Sequence, residues 1–188
     1  MVARALGPYQ DQLKDAVWKL KYQGRRDLAE PLGRLMARVA WAEPHTRQLA
    51  SSEQKEQWPM VIPVPLHSER LRERTYNQAA LLARALGREL GLPVREDLLL
   101  RVLPTPDSTG LTREQRERSV RGAFQVISED ANAGLKGRAV LLVDDVYTTG
   151  ATVGECARTL LAAGARQVMV ITLATGITRP PAFTVGPE

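Results

Sequence analysis

Cysteine is almost missing from this chain: Cys156 is the single one among 188 residues. One thiol excludes an internal disulfide framework and a cysteine-rich metal site, so a reducing, cytoplasmic setting is expected. Aromatic side chains number only nine. That is few for an extended base-stacking platform, and only Tyr22, Tyr76 and Phe124 lie near basic residues. No apolar run approaches the roughly 18 residues of a membrane span. The most apolar stretches, Ala139–Val143 and Val168–Leu173, are strand-sized. The opening residues Met1, Val2, Ala3 and Arg4 lead into polar sequence without an apolar h-region, so no secretory signal is expected.

What is present is ordinary globular material, 44% apolar and 25% charged. At about 150 residues per domain, the length suits one domain with an appendage. Lys and Arg exceed Asp and Glu by 26 to 21, and the excess is uneven. Residues 1–38 carry +4, residues 66–122 carry +3 and residues 139–188 carry −1. Basic character upstream points to an anionic ligand or partner. Arginine outnumbers lysine 21 to 5, which suits forked phosphate contacts but equally a coding bias or a heat-adapted surface.

The first 57 residues read as helices and a linker. Leu13, Ala16, Val17 and Leu20 share one helical face, with Gly24 as a stop. Leu28, Leu32, Leu35 and Val39 suggest a second helix, with Asp27 as N-cap and Pro31 in its first turn. Residues 43–57 have no apolar period and read as a linker. From Trp58 strands and helices alternate. Met60–Val64 is a short strand, and Asn77–Leu90 a helix closed by Gly91. Leu98–Leu103 and Phe124–Ile127 are candidate strands around a polar segment, Pro104–Arg121, read as a mobile loop with one helical turn. Strand Ala139–Val143, helix Thr152–Ala163 and strand Val168–Leu173 form a βαβ unit, which implies α/β architecture with a parallel sheet. The tail after Thr178 reads as peripheral.

Chemistry concentrates at residues 140–152, VLLVDDVYTTGAT. An apolar strand delivers Asp144 and Asp145 to its C-terminal edge, where open α/β sheets bind ligands. The turn Thr148, Thr149, Gly150, Ala151 and Thr152 then opens a helix, offering backbone N–H groups, hydroxyls and a positive dipole end. Phosphate on the turn and vicinal hydroxyls on the acids describe a sugar phosphate. Two solvated acids beside an N-cap would look similar. A receiver domain usually carries its acids on the first strand, and a P-loop is excluded because no Gly-Lys-Ser/Thr follows.

The segment Val140–Thr152 resembles the phosphoribosyl-pyrophosphate (PRPP) signature of type I phosphoribosyltransferases, and the wider chain resembles their ComF-type, competence-associated branch. The segments that carry this branch are residues 18–22 (WKLKY), residues 61–67 (VIPVPLH) continuing to residues 74–78 (RTYNQ), and the hood-like stretch Arg101–Phe124. The resemblance implies a mostly parallel sheet flanked by helices. Residues 1–57 would form an N-terminal helical region and linker, and residues 58–188 the transferase domain with a flexible hood at 101–124. Asp144 and Asp145 would bind the ribose hydroxyls, and Thr148 to Thr152 the 5′-phosphate. Val64, Pro65, Leu66 and His67 match the pyrophosphate loop, with Arg70 and Arg74 as the basic positions after it. Arg74, with the two acids, would serve catalysis by stabilising the leaving group. Mg²⁺ would travel with PRPP and need few protein ligands, and no zinc is expected.

The resemblance implies PRPP and a nitrogenous acceptor as substrates. It leaves open single-stranded DNA, a competence-machinery protein or a homo-oligomer as partners. The alternative function is a non-catalytic PRPP- or nucleotide-binding module that assists single-stranded DNA handling. His67 reads as a surface loop residue, Cys156 as a small core residue, and Tyr147 as facing the base or covering the sheet. Three features depart from the family pattern: there is no cysteine-rich zinc ribbon, Ser108 and Ser119 stand where Gln and Asn are usual, and Thr75 stands where Gly is frequent.

Overall fold

The structure, a computed structural model, describes residues 2–44, 59–104, 112–127 and 134–176. Its centre is a four-stranded, all-parallel sheet in the order β1 (Val2–Pro8), β6 (Gln167–Thr175), β5 (Ala139–Tyr147), β2 (Met60–Pro63). Helices cover both faces, so the strands are buried on two sides and read as continuous apolar runs rather than as alternation. Val140, Leu142, Val168 and Val170 enter one core cluster, packed with Val153, Cys156, Ala157 and Leu160 of α6 (Ala151–Ala162). Leu141, Val143, Met169 and Ile171 enter the other. There they meet α1 (Asp11–Tyr22), α2 (Ala29–Ala42) and α4 (Gln78–Leu90).

β3 (Leu99–Arg101) and β4 (Phe124–Val126) pair antiparallel in a separate two-stranded sheet, with α5 (Arg113–Val120) between them in sequence. This unit is the hood. It is tied to the main body by Glu155 of α6, whose Oε1 accepts the Gly122 amide at 2.6 Å.

Several expectations are corrected. A strand, β1, precedes the first helix and forms one edge of the main sheet beside β6. Its sequence, VARALGP, has weak strand propensity, and only pairing with residues far along the chain makes it a strand. Asp27 does not cap α2: it sits in a 3₁₀ turn, Arg26–Leu28, and its carboxylate pairs with Arg25. Arg70 and Arg74 lie on a helix the sequence did not announce, α3 (Ser68–Arg74). The segment read as a loop with one helical turn contains the eight-residue α5, opened by a capping box in which Thr112 and Gln115 bond reciprocally. Only Val120 of that helix is buried, so no apolar period announced it. Most of the linker, Trp58, Ser108 and the tail after Thr178 lie outside the described residues.

Candidate active site

β5 runs four residues beyond the strand read from the sequence, because β6 pairs with it as far as Tyr147 and Thr175. Asp144 and Asp145 therefore lie within the strand. Successive side chains of a strand point to opposite faces. Asp145 follows Leu141 and Val143 to the face of α1 and α4, where its Oδ2 accepts from Lys21 Nζ at 2.6 Å and Gln78 Nε2 at 3.1 Å. Asp144 goes to the other face, toward Arg101 of β3 and Cys156 of α6, whose titrations both respond to its charge.

Asp145 is only 4% exposed. Burial and the adjoining Asp145 charge push the Asp144 carboxyl up to about 8, with Lys21 acting against them. At neutral pH the pair therefore holds a proton, as neighbouring carboxylates do when they cannot both ionise at low cost. Burial works against the charge of Lys21, but the Asp145 carboxylate, helped by Asp144, raises its pKa above the ordinary lysine value. Burial and Asp144 push the Cys156 thiol well up, so it is an unreactive core residue.

After β5 the chain turns at Thr148, Thr149 and Gly150 into α6. Gly150 caps this helix at φ 83°, and a Cβ there would collide with the Tyr147 hydroxyl. The turn thus requires glycine. Tyr147 itself is buried, 2% exposed, which places it over the sheet rather than toward a ligand.

These groups open onto a cleft of about 280 Å³. Asp144, Asp145, Thr148, Thr149, Ala151 and Thr152 line it, as do Val64, Pro65 and Leu66 from the turn after β2. Arg70 and Arg74 reach it from α3, and Arg101, Arg116 and Ser119 from the hood. Thus the acids, the turn and both arginines singled out in the sequence, Arg70 and Arg74, meet in one place. His67 and Gly150 are not on its wall: His67 caps α3, accepting the Glu69 amide on Nδ1 at 3.5 Å.

Sequence reasoning missed Lys21, Tyr22 and Gln78, which complete the cleft. Lys21 lies four residues after Val17, on the core face of α1, and a lysine on that face was the available signal. Gln78 follows the helix cap Asn77, whose side chain accepts the Ala79 amide at 2.9 Å and donates to Val64 O at 3.0 Å. That bond ties the start of α4 to the turn after β2.

The architecture is that of a phosphoribosyltransferase. The chain superimposes on glutamine PRPP amidotransferase from Bacillus subtilis with a TM-score of 0.50 at 18% identity, over 83% of this chain and 30% of that one. The model of the phosphoribosyl transferase domain matches residues 77–182. The chain belongs to this family, in its ComF-type branch. It is 32% identical to Competence protein F of Haemophilus influenzae over 90% of its own length and 70% of that protein's. It is 31% identical to DNA utilization protein YhgH of Shigella flexneri, over 86% of its own length and 66% of that protein's. Among the described residues, no helix is long and apolar enough to cross a membrane.

Proposed function

We propose that the chain binds PRPP and transfers its phosphoribosyl group to a nitrogenous acceptor, releasing pyrophosphate, in a process linked to DNA utilization. The observation that carries this reading is the convergence, in one cleft, of an acid pair, a helix-opening turn and a set of cations. Asp144 and Asp145 take the ribose hydroxyls. The 5′-phosphate lies at Thr148–Thr152, on the N-terminus of α6, where backbone N–H groups and the helix dipole favour an anion. The pyrophosphate faces the Val64–Leu66 turn, Arg70 and Arg74.

In the reaction the bond from ribose C1 to the pyrophosphate oxygen breaks as the acceptor nitrogen bonds to C1 and then loses its proton. Positive charge develops on the sugar and negative charge on the leaving group. Fixed charges already aimed at those positions do most of the catalysis. Arg74 is held for this role by Gln78, which accepts from its Nη1 at 2.7 Å. The hood, with Arg101 and Arg116, covers the site and excludes water. Mg²⁺ carried with PRPP would need few protein ligands and would supply neutralisation of charge on the leaving pyrophosphate beside Arg70 and Arg74.

Calorimetry with PRPP and Mg²⁺ tests the reading: wild-type protein should bind, and replacing both Asp144 and Asp145 by Ala should abolish the heat. Unchanged affinity in the double variant would sink the site assignment. Pyrophosphate release across purine, pyrimidine and amine acceptors then tests catalysis. The names of the relatives favour a second reading, a PRPP-binding module in DNA handling without turnover. Binding with no release from any acceptor would select it.

A further inference from the structure

Lys21 lines the cleft and its ammonium reaches the acid pair although it comes from α1, far outside residues 77–182 where the family match lies. A lysine buried this far needs a partner to retain its charge, and it has one in Asp145. The placement is enforced from several sides. The Tyr76 hydroxyl donates to Leu20 O, the carbonyl just before Lys21, and so pins the last turn of α1 against the junction of α3 and α4. The Arg74 guanidinium lies 5.3 Å from the ring centre of Tyr22, the residue just after Lys21. The same guanidinium orients Gln78, which in turn donates to Asp145. Two helices, α1 and α4, thus donate to one carboxylate, and both donors reach the same oxygen, Oδ2.

We propose that Lys21 is a positioning residue for the acid pair: its ammonium locks the Asp145 carboxylate through Oδ2 and leaves Oδ1 to accept a ribose hydroxyl. The proposal rests on the reading of the cleft as a PRPP site. It assigns a function to the basic N-terminal segment that the signature loop does not explain. Lys21 need not touch PRPP; it acts through Asp145. It also bears on the charge of the pair, because its ammonium opposes retention of the proton by Asp144. The other groups around the acids are Gln78 of α4, Arg74 of α3, Arg101 of β3 and Cys156 of α6. Of these, Gln78 is neutral and the Cys156 thiol is held protonated by burial and Asp144. Arg101 faces Asp144, and Arg74 is linked to Asp145 through Gln78.

The test uses the full chain with PRPP and Mg²⁺ as the probe, comparing wild type with Lys21→Met, Lys21→Gln and Lys21→Arg. Loss of a charge-assisted hydrogen bond to the orienting carboxylate should weaken binding about tenfold or more in Lys21→Met. Lys21→Gln, which keeps a donor without the charge, should weaken it similarly and serves if the Met variant does not fold. Lys21→Arg should recover most of the affinity. In ligand-free protein carrying ¹³C-labelled aspartate, the Asp144 carboxyl should titrate at higher pH in the Met and Gln variants, and near its wild-type position in Lys21→Arg. A purely structural ion pair would lower the melting temperature and leave affinity of the folded protein unchanged. That result, or a carboxyl titration indifferent to Lys21, overturns the proposal while leaving the PRPP reading intact. Failure of wild-type protein to bind PRPP overturns the PRPP reading itself and the ligand half of the proposal, and the titration then decides whether Lys21 governs the acids.

Discussion

Thr75 closes α3 at φ 66°, a left-handed conformation that a β-branched residue adopts only under strain. Glycine, which takes that conformation freely, is the residue this turn favours on physical grounds. Thr75→Gly removes the strain but also the exposed hydrogen bond from Arg26 to Thr75 Oγ1, and it loosens the unfolded chain. The balance should favour the variant by about 0.5–1 kcal/mol, read as a rise in melting temperature of about 1–4 °C. A lower melting temperature would mean that the Arg26 contact outweighs the strain. Residue-level legibility followed the same logic. Gly91 announced its role, the end of α4, because its chemistry is local. Lys21 did not, because its role depends on a carboxylate 124 positions further on, a distance no helical period reports.

The hood depends on Glu155, an acid on α6 that joins two elements. Besides the Gly122 amide, its carboxylate accepts from Arg158 Nε at 2.9 Å and Nη2 at 2.5 Å. The hydrogen bonds from Arg158 hold its pKa below the usual carboxylate value, opposed by burial and helped by the Gly122 amide. Glu155→Ala leaves that amide without its partner. The expected cost is about 1–3 kcal/mol, seen as a lower urea midpoint together with faster hydrogen exchange at Gly122. If exchange there is unchanged, the hood is held by its apolar contacts through Phe124 and Val120 instead. At this scale the sequence was most legible where an element is buried along a whole face, as for α4 and β5. It was least legible for α3, α5 and β1. The first two are surface helices set by caps and neighbours, and β1 is a strand only by virtue of β6.

The acid pair influences the stability of the whole molecule. Asp144 titrates near 8 in the folded protein against an ordinary 3.8, so folding takes up a proton. For an acid with a raised pKa, the associated stability is complete below the unfolded value and is lost as pH rises through the folded one. Stability should therefore fall between about pH 4 and pH 8. Asp144→Asn, which cannot ionise, should flatten this slope and make the variant the more stable protein at pH 8; urea midpoints at pH 5 and pH 8 check it. Parallel slopes would mean that Asp144 ionises as readily folded as unfolded. The charge asymmetry of the chain acquires a location at this scale. The basic first third contributes Lys21 to the acids of the last third, and the middle third contributes Arg70 and Arg74 to the same cleft. The sheet order carries one more consequence, for biosynthesis. Val2 is synthesised long before Met169, its partner in the sheet. At about 5–20 residues per second, β1 waits on the order of ten seconds or more for β6 to be made. The acid pair on β5 likewise emerges before the strand that flanks it. On the nascent chain β1 thus stays unpaired until β6 has emerged, and the sheet that frames the acid pair can close only then.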